Sequence, residues 1–403
     1  MTRRRAVVCL FLIVALSAAV RLVNLGYWQG YVFDEHYYAS DASALITRGL
    51  ASSTWRSGGF REQSHPLLGD ETIAGGILVL GNDAWGWRLL SALAGVALIA
   101  MVYPLARRLL LGRSWAVMAT GLAACDTLLI AQSRVAMLDV FVALWSIVCV
   151  YCAVRGARAP RPRLWLLLGG VSGGLAVASK WSGLFAILAA LAVILLWRRR
   201  RGTSIGFSVL AFSVLPVAVY LLTYLPYFAA GHGLGQWVEL QRGMATHGWM
   251  LRHPDPHSSA PASWFFDSNP IWYKWSFGRS GLRAFVAIGN PLLWWGAGVA
   301  LVALAVTAAR KRSRLLALPV VLVACLYCPW LVASRTTYLY YMVPVVPFLA
   351  LALARALSLL RPRFAAAYAA ATAVPMLAWL PLVVSLPVSW GYYHAVMLLS
   401  AWR

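Results

Sequence analysis

Long apolar stretches separated by short polar segments dominate the chain. About eleven of them have roughly the 20 residues that a helix needs to cross a bilayer. They lie at approximately 6–26, 84–106, 114–132, 136–154, 164–179, 181–197, 205–229, 284–308, 315–333, 337–357 and 364–386. The pattern predicts an all-α polytopic membrane protein, formed by a single domain over residues 1–403.

Two long segments, 27–83 and 230–283, interrupt the apolar pattern. Aromatic residues are frequent in and around the second: Trp237, Trp249, Trp264, Phe265, Phe266, Trp272, Tyr273 and Trp275. Such residues are typical of the membrane–water interface. The alternative is a wall on which a sugar or a peptide stacks.

The net charge of +23 comes from basic residues clustered in short connections between the spans. Six clusters hold 21 of the 35 Lys and Arg residues: Arg3–Arg5, Arg107/Arg108/Arg113, Arg155/Arg158/Arg161/Arg163, Arg198–Arg201, Arg310/Lys311/Arg312/Arg314 and Arg355/Arg361/Arg363. Because cytoplasmic loops are enriched in Lys and Arg, these connections and the amino terminus are predicted to be cytoplasmic. Both long loops and the carboxyl terminus are then external. Because membrane topology explains this distribution of charge, we expect no nucleic-acid partner.

Acidic residues are rare, with 12 in the whole chain, yet Asp34 and Glu35 stand side by side after the first span. Keeping two carboxylates close to lipid is costly, so the pair indicates a reaction centre at the membrane surface. The C-x-x-C pairs at Cys149 and Cys325 lie in separate apolar spans, and no metal site is predicted from them.

Other chemically active residues are predicted on the same external side. They are His65, Arg134, Asp139 and Lys180. Cations beside carboxylates suit a reaction with a phosphate leaving group and a general base. The alternative is that Arg134 and Lys180 only extend toward lipid headgroups.

Several motifs, in this order, resemble those of the protein O-mannosyltransferases, which are C-type membrane glycosyltransferases that use polyprenyl-phosphate sugars. The motifs are FDEHYYASDA, HPLLGDETIAGG, SRVAMLDVF, ASKWSGL, NPIWY, AIGNPLLWWG, RTTYLYYMVPVVPFLALALA and LPLVVSLPVSWGYY. The resemblance implies a C-type glycosyltransferase fold. It also implies transfer of mannose from a polyprenyl-phosphate-mannose lipid to Ser or Thr of a protein that is being translocated, at the outer face of a membrane. We expect this membrane to be a bacterial plasma membrane.

The resemblance also implies roles for individual residues. Asp34 would be the catalytic base, and Glu35 would support the acceptor or orient the site. Arg134 and Lys180 would hold the donor phosphate. The remaining residues expected to line the site are His65, Asp139, His257 and Trp264. No metal is required by this chemistry, although a divalent ion bridging Asp34 to phosphate remains an open alternative.

One position departs from the family pattern. The family's HPPLGK segment is HPLLGD here, so Asp70 replaces a basic residue and Glu71 follows it. Carboxylates near an anionic donor are unfavourable unless they are paired. We expect Asp70 to pair with a nearby cation such as Arg61.

Three other functions fit parts of the pattern. A C-type enzyme acting on a lipid or cell-wall glycan would share the base and the phosphate site. A polyprenyl-linked lipid flippase would carry charges near the middle of the bilayer, whereas the charges here cluster at one face. A non-catalytic scaffold would be indifferent to loss of Asp34.

Overall fold

A computed structural model describes residues 1–48, 64–109, 111–197, 205–250 and 255–402. Helices dominate these residues. They are α1 Arg3–Leu22, α2 Glu35–Arg48, α3 Leu68–Leu80, α4 Ala84–Arg108, α5 Arg113–Ala124, α6 Thr127–Gln132, α7 Asp139–Gly156, α8 Pro162–Ser179, α9 Leu184–Trp197, α10 Ile205–Leu222, α11 Leu225–Ala229, α12 Leu234–Met250, α13 Pro291–Lys311, α14 Arg314–Leu331, α15 Val346–Leu357, α16 Pro362–Ala371, α17 Ala373–Val383 and α18 Trp390–Val396.

The polytopic membrane architecture is confirmed. Among the described residues, seven segments are long and apolar enough to cross a membrane: α1, α4, α7, α10 with α11, α13, α14, and α16 with α17. The other four predicted spans correspond to α5 with α6, to α8, to α9, and to α15 with the 3₁₀ turn Leu339–Met342 that precedes it. The exact number of spans stays a prediction.

Both long segments between spans contain regular structure. The first holds α2 and α3, and the second holds α12 and strand β1 of a small antiparallel sheet. The sheet, which the all-α prediction lacked, consists of β1 Ile271–Gly278, β2 Gly281–Ala287 and β3 Val388–Ser389, in the order β1-β2-β3. Strand β2 occupies residues 284–287, which the apolar pattern assigned to a membrane span. Periodicity alone does not separate a short buried strand from the end of a helix.

The interior of the molecule is formed mainly by α4, α7 and α15, whose side chains are largely buried. The predicted span 114–132 consists of two helices, α5 and α6. The backbone leaves the helical conformation at Asp126, which is the N-cap of α6. The Asp126 carboxylate accepts hydrogen bonds from the backbone N–H of Leu129 and from the Trp294 indole, which caps α6 and attaches it to α13. Capping by Asp satisfies backbone donors that a helix start leaves unpaired.

Helices α8 and α9 meet in a tight turn. Lys180 ends α8 with extended backbone, and the 3₁₀ turn Trp181–Gly183 leads into α9. A Cβ atom at Gly183 would overlap the backbone of Ala176 and Val177. The turn that holds Lys180 therefore requires glycine at this position.

We expect Gly183→Ala to lower the free energy of unfolding by about 1–3 kcal/mol, because the added methyl group must displace backbone atoms of α8. Thermal unfolding of the purified protein in detergent measures the effect. Gly206→Ala is the matched control, since no atom lies within 4 Å of the added carbon and alanine favours the helix. Equal melting of the two variants would contradict the tight turn.

Candidate active site

Asp34 lies immediately before α2 and follows a residue with strained backbone conformation. The preceding residue, Phe33, has φ = 49°, a left-handed conformation that is costly for a bulky side chain. The Asp34 carbonyl accepts the first hydrogen bonds of α2, from the N–H groups of Tyr37 and Tyr38. Its side chain therefore lies at the positive end of the helix, where a carboxylate is favoured.

Glu35 is fully buried and is not accessible to solvent. Its carboxylate forms a bidentate salt bridge with Arg88 of α4, with Nε–Oε1 and Nη2–Oε2 distances of 2.7 Å each. It also accepts the backbone N–H groups of Val32, at 2.8 Å, and of Ala136, at 2.9 Å. Two carboxylate oxygens with four donors are satisfied, so Glu35 is bound as a structural anchor.

Arg88 extends this anchor to the chain that follows α1. Its guanidinium also donates to the carbonyls of Leu25, Trp28 and Gly30. A single buried pair thus joins the segment after α1, the start of α2, α4 and the connection before α7. The position of Asp34 depends on that junction.

A second buried pair lies on the other side of Asp34. Lys180 places Nζ 3.0 Å from both oxygens of Asp139, the first residue of α7. The ammonium also lies 4.7 Å from the ring of Tyr341 and 5.5 Å from that of Tyr340. Cations are attracted to the faces of such rings.

Tyr340 connects the two halves of the site. Its hydroxyl donates to Oδ2 of Asp34 over 3.4 Å, a long hydrogen bond. Tyr340 and Tyr341 pack edge to face with ring centroids 5.1 Å apart. One carboxylate and one ammonium therefore flank the same pair of tyrosines.

An open cavity of about 320 Å³ adjoins this pair of tyrosines. Its walls include Trp181, Phe185 and Trp330, and Arg335 lines it as well. The Trp330 ring stacks on Tyr341 at 4.3 Å, and the Arg335 guanidinium lies 6.0 Å from the Tyr341 ring. An apolar cavity with a cation at its edge suits a lipid with an anionic group.

Aromatic residues of the second long segment form a wall beside Asp34. Phe33 packs on Tyr273 of β1 at 4.7 Å and on His257 at 5.4 Å. Tyr338 stacks on Tyr340 and donates to Asp255 at 2.9 Å. Residues 255–273 therefore contribute directly to the surroundings of Asp34.

The structure separates three other predicted residues from this group. Arg134 is buried and donates to the carbonyls of Val20 and Arg21, at the end of α1. Trp264 is fully buried behind Tyr341 and binds Ser259 through its indole N–H. His65 packs against Tyr38 of α2, with ring centroids 5.9 Å apart, shortly before the start of α3.

Residues at the departure from the family pattern lie at the start of α3. Asp70 is buried, while its expected partner Arg61 falls outside the described residues, as does the basic cluster Arg198–Arg201. Burial raises the pKa of Glu71 to about 7. The pairing of Asp70 stays a prediction.

Several important residues were missed from sequence. Arg88 gave no signal beyond its being an isolated cation in an apolar span, which is costly unless paired. Tyr340 and Tyr341 belong to the motif RTTYLYYMVPVVPFLALALA, but the resemblance implies no role for either residue. Arg335, in the connection after α14, gave no signal beyond its charge. Among the described residues, no group of three or more His, Cys, Asp or Glu side chains is close enough to hold a metal ion.

Comparisons with known proteins agree with this architecture. The family model described as dolichyl-phosphate-mannose-protein mannosyltransferase matches residues 11–230. The polyprenol-phosphate-mannose–protein mannosyltransferase of Mycolicibacterium smegmatis is 26% identical over 480 aligned positions, covering 97% of this chain and 92% of that protein.

Two further similarities extend the comparison. An undecaprenyl phosphate-alpha-4-amino-4-deoxy-L-arabinose arabinosyl transferase of Pseudomonas paraeruginosa is 32% identical over 240 positions, covering 58% of this chain and 41% of that protein. The S. cerevisiae protein O-mannosyltransferase Pmt1-Pmt2 complex, solved with its sugar donor, has a TM-score of 0.84 at 14% identity. It covers all of this chain and 93% of the matched chain. The C-type glycosyltransferase fold is thereby confirmed.

We expect Glu35→Gln to destabilise the protein by about 3–5 kcal/mol, because the substitution leaves the buried Arg88 guanidinium without its countercharge. Thermal unfolding in detergent measures the loss. Asp34→Asn is the matched control at the neighbouring carboxylate, which is only partly buried. A Glu35→Gln variant that melts like the control would refute the anchoring role.

Proposed function

The chain belongs to the dolichyl-phosphate-mannose-protein mannosyltransferase family, and from this membership we propose that it transfers mannose from a polyprenyl-phosphate-mannose lipid to Ser or Thr hydroxyl groups of proteins. As a member of this family it is a membrane glycosyltransferase. The observation that carries the proposal is the placement of Asp34 and of the cations Lys180 and Arg335 around one tyrosine pair.

The proposed reaction is a single displacement. The acceptor hydroxyl oxygen attacks the anomeric carbon of mannose while the bond from that carbon to the phosphate oxygen breaks. Asp34 accepts the hydroxyl proton, because a hydroxyl group with a pKa far above neutrality needs a base in the transition state. The polyprenyl phosphate leaves with the electron pair of the broken bond.

Positive charge stabilises the leaving phosphate in this scheme. Arg335 is the cation best placed to contact it, since it lines the open cavity. Lys180 contributes its field from behind the tyrosine pair while Asp139 holds it in position. Charge fixed in advance at a developing anion lowers the barrier without reorganisation. Arg134 has a structural role in this scheme, bound to the end of α1.

An apolar surface is available for the polyprenyl chain. A second groove, of about 360 Å³, is lined by Leu184, Pro216, Val217 and, from α12, Trp237. Trp181 lines both this groove and the cavity at Arg335. Their common wall supports a path from the lipid-facing surface to the phosphate position. Buried prenyl units bind through apolar contact, which is roughly proportional to buried area.

We propose that the site faces the outside of a cell membrane. Helices that begin at basic clusters, such as α1 and α8, end on the side of Asp34. Lys and Arg are enriched at the opposite ends of these helices, which supports a cytoplasmic location for those ends. Acceptor proteins would then meet the site as they emerge from translocation.

The second candidate is transfer to a lipid or glycan acceptor. It is favoured by the similarity of part of the chain to the Pseudomonas arabinosyl transferase, whose name, unlike that of the mycobacterial relative, specifies no protein acceptor. Both candidates use the same base and the same leaving group, so only the acceptor distinguishes them. Labelled polyprenyl-phosphate-mannose offered to a Ser/Thr-rich peptide and, separately, to membrane lipids tests the choice.

We expect Asp34→Asn to reduce mannose transfer to the peptide by at least about 100-fold, the usual scale for loss of a general base. Purified protein, labelled donor and a Ser/Thr/Pro-rich peptide provide the assay. Glu239→Gln is the matched control, since this exposed carboxylate lies on α12. Activity of Asp34→Asn near that of the control would remove Asp34 from the chemistry.

We expect Arg335→Gln to weaken inhibition by free polyprenyl phosphate about 10- to 100-fold, because a charged hydrogen bond to phosphate contributes roughly 1.5–3 kcal/mol. The inhibition constant in the same transfer assay is the measurement. Arg279→Gln, at the exposed turn between β1 and β2, controls for loss of one external cation. An unchanged inhibition constant would exclude Arg335 from the phosphate site.

A further inference from the structure

An apolar groove lies on the outside of the helix bundle, away from Asp34. Its volume is about 530 Å³. Val299, Ala303 and Thr307 of α13 form one wall, and Leu357 and Leu360 at the end of α15 form part of another. None of the described residues that line it is charged. We call it the α13–α15 groove, and its shape and chemistry suit a hydrocarbon chain.

Cations surround one end of this groove. Arg310, Lys311 and Arg312 follow Thr307 by about one turn at the end of α13, and all three are exposed. Arg361 and Arg363 follow Leu360 in the connection to α16, and both are exposed as well. Five positive charges therefore stand where a hydrocarbon chain in the groove would join its headgroup.

The part of the chain that the structure describes supplies no negative charge at this end. The basic face is the side on which α1, α8 and α14 begin and α4, α7 and α13 end. Within the described ranges no Asp or Glu lies at this face; Asp34, Asp83, Asp126 and Asp139, for example, all stand at the opposite ends of the helices. The five exposed cations are therefore available to an anionic group of another molecule.

The connection between α15 and α16 has the character of a segment in the headgroup region. Leu359, Leu360 and Phe364 are 52%, 57% and 57% exposed, and they flank the two arginines on either side. The Arg363 guanidinium lies 5.0 Å from the Phe364 ring. Exposed apolar residues interleaved with cations are favourable where hydrocarbon meets phosphate.

We propose that the α13–α15 groove is a binding site for an anionic phospholipid of the bilayer. One acyl chain lies along α13, and the phosphate is bound among Arg310, Lys311, Arg312, Arg361 and Arg363. This site is separate from the sugar-donor site of the proposed function, because it opens at the basic face while Asp34 and Arg335 lie at the other. Cationic pockets at helix ends attract anionic lipids at about 1 kcal/mol per charge.

The test uses the purified full-length protein in a neutral detergent with added phosphatidylglycerol or, for comparison, phosphatidylcholine. Lipid retention is quantified by native mass spectrometry. We expect preferential retention of phosphatidylglycerol. Replacing Arg361 and Arg363 by Gln should weaken its binding about 5-fold per charge, equivalent to about 1 kcal/mol each. Arg163→Gln is the matched control, an exposed cation of the basic face on α8, far along the chain from the groove.

A second pair of variants tests the groove itself. Ala303→Phe fills it and should abolish the preference, whereas Val302→Phe, at an exposed neighbouring position that does not line the groove, should preserve it. Equal retention of both lipids by the wild-type protein would overturn the proposal. So would displacement of phosphatidylglycerol from the groove by polyprenyl phosphate at equal concentration, since the groove would then belong to the donor.

Discussion

The buried pair of Glu35 and Arg88 is the interaction on which the site depends. It joins four segments that are distant in sequence, and each donor and acceptor in it is satisfied within 3.2 Å. A buried charge is tolerated only with such complete partners. Because Glu35 is the first residue of α2, fixing it also fixes Asp34, the residue before it, at the helix terminus. In the proposed reaction the two adjacent carboxylates have different roles: Glu35 holds the backbone, and Asp34 accepts the proton of the acceptor hydroxyl.

The second constraint comes from the tyrosines that follow α14. Tyr340 contacts Asp34, while the ammonium of Lys180 lies over Tyr340 and Tyr341. Lys180 is in turn held by Asp139 and by the glycine-dependent turn between α8 and α9. The relative position of base and cations is thus set by packing between helices remote in sequence. Arg335, whose side chain reaches the open cavity, is the member of the group that a ligand can approach.

Much of the architecture could be predicted from the sequence, because spans of apolar residues and clusters of cations are local signals. The sheet could not, since the apolar run at 284–287 fits a strand and a helix equally well. At the site, Asp34, Asp139, Lys180 and His257 were anticipated, and the structure brings them to one region. The sequence could not separate the roles of Asp34 and Glu35, because the difference arises from Arg88, 53 positions further along the chain. The assignment of Arg134 to the donor phosphate stays a prediction; its hydrogen bonds to carbonyls at the end of α1, more than 100 positions earlier, leave no trace in its local sequence.

The central claim is that a single carboxylate performs the chemistry while Glu35 is held by Arg88 and Asp139 by Lys180. A displacement without a covalent sugar–enzyme intermediate inverts the anomeric carbon, whereas a second carboxylate acting as nucleophile retains its configuration. The decisive measurement is the anomeric configuration of the mannosyl peptide compared with that of the donor, determined by nuclear magnetic resonance on both molecules. The account predicts opposite configurations in donor and product. The same configuration in both would contradict it.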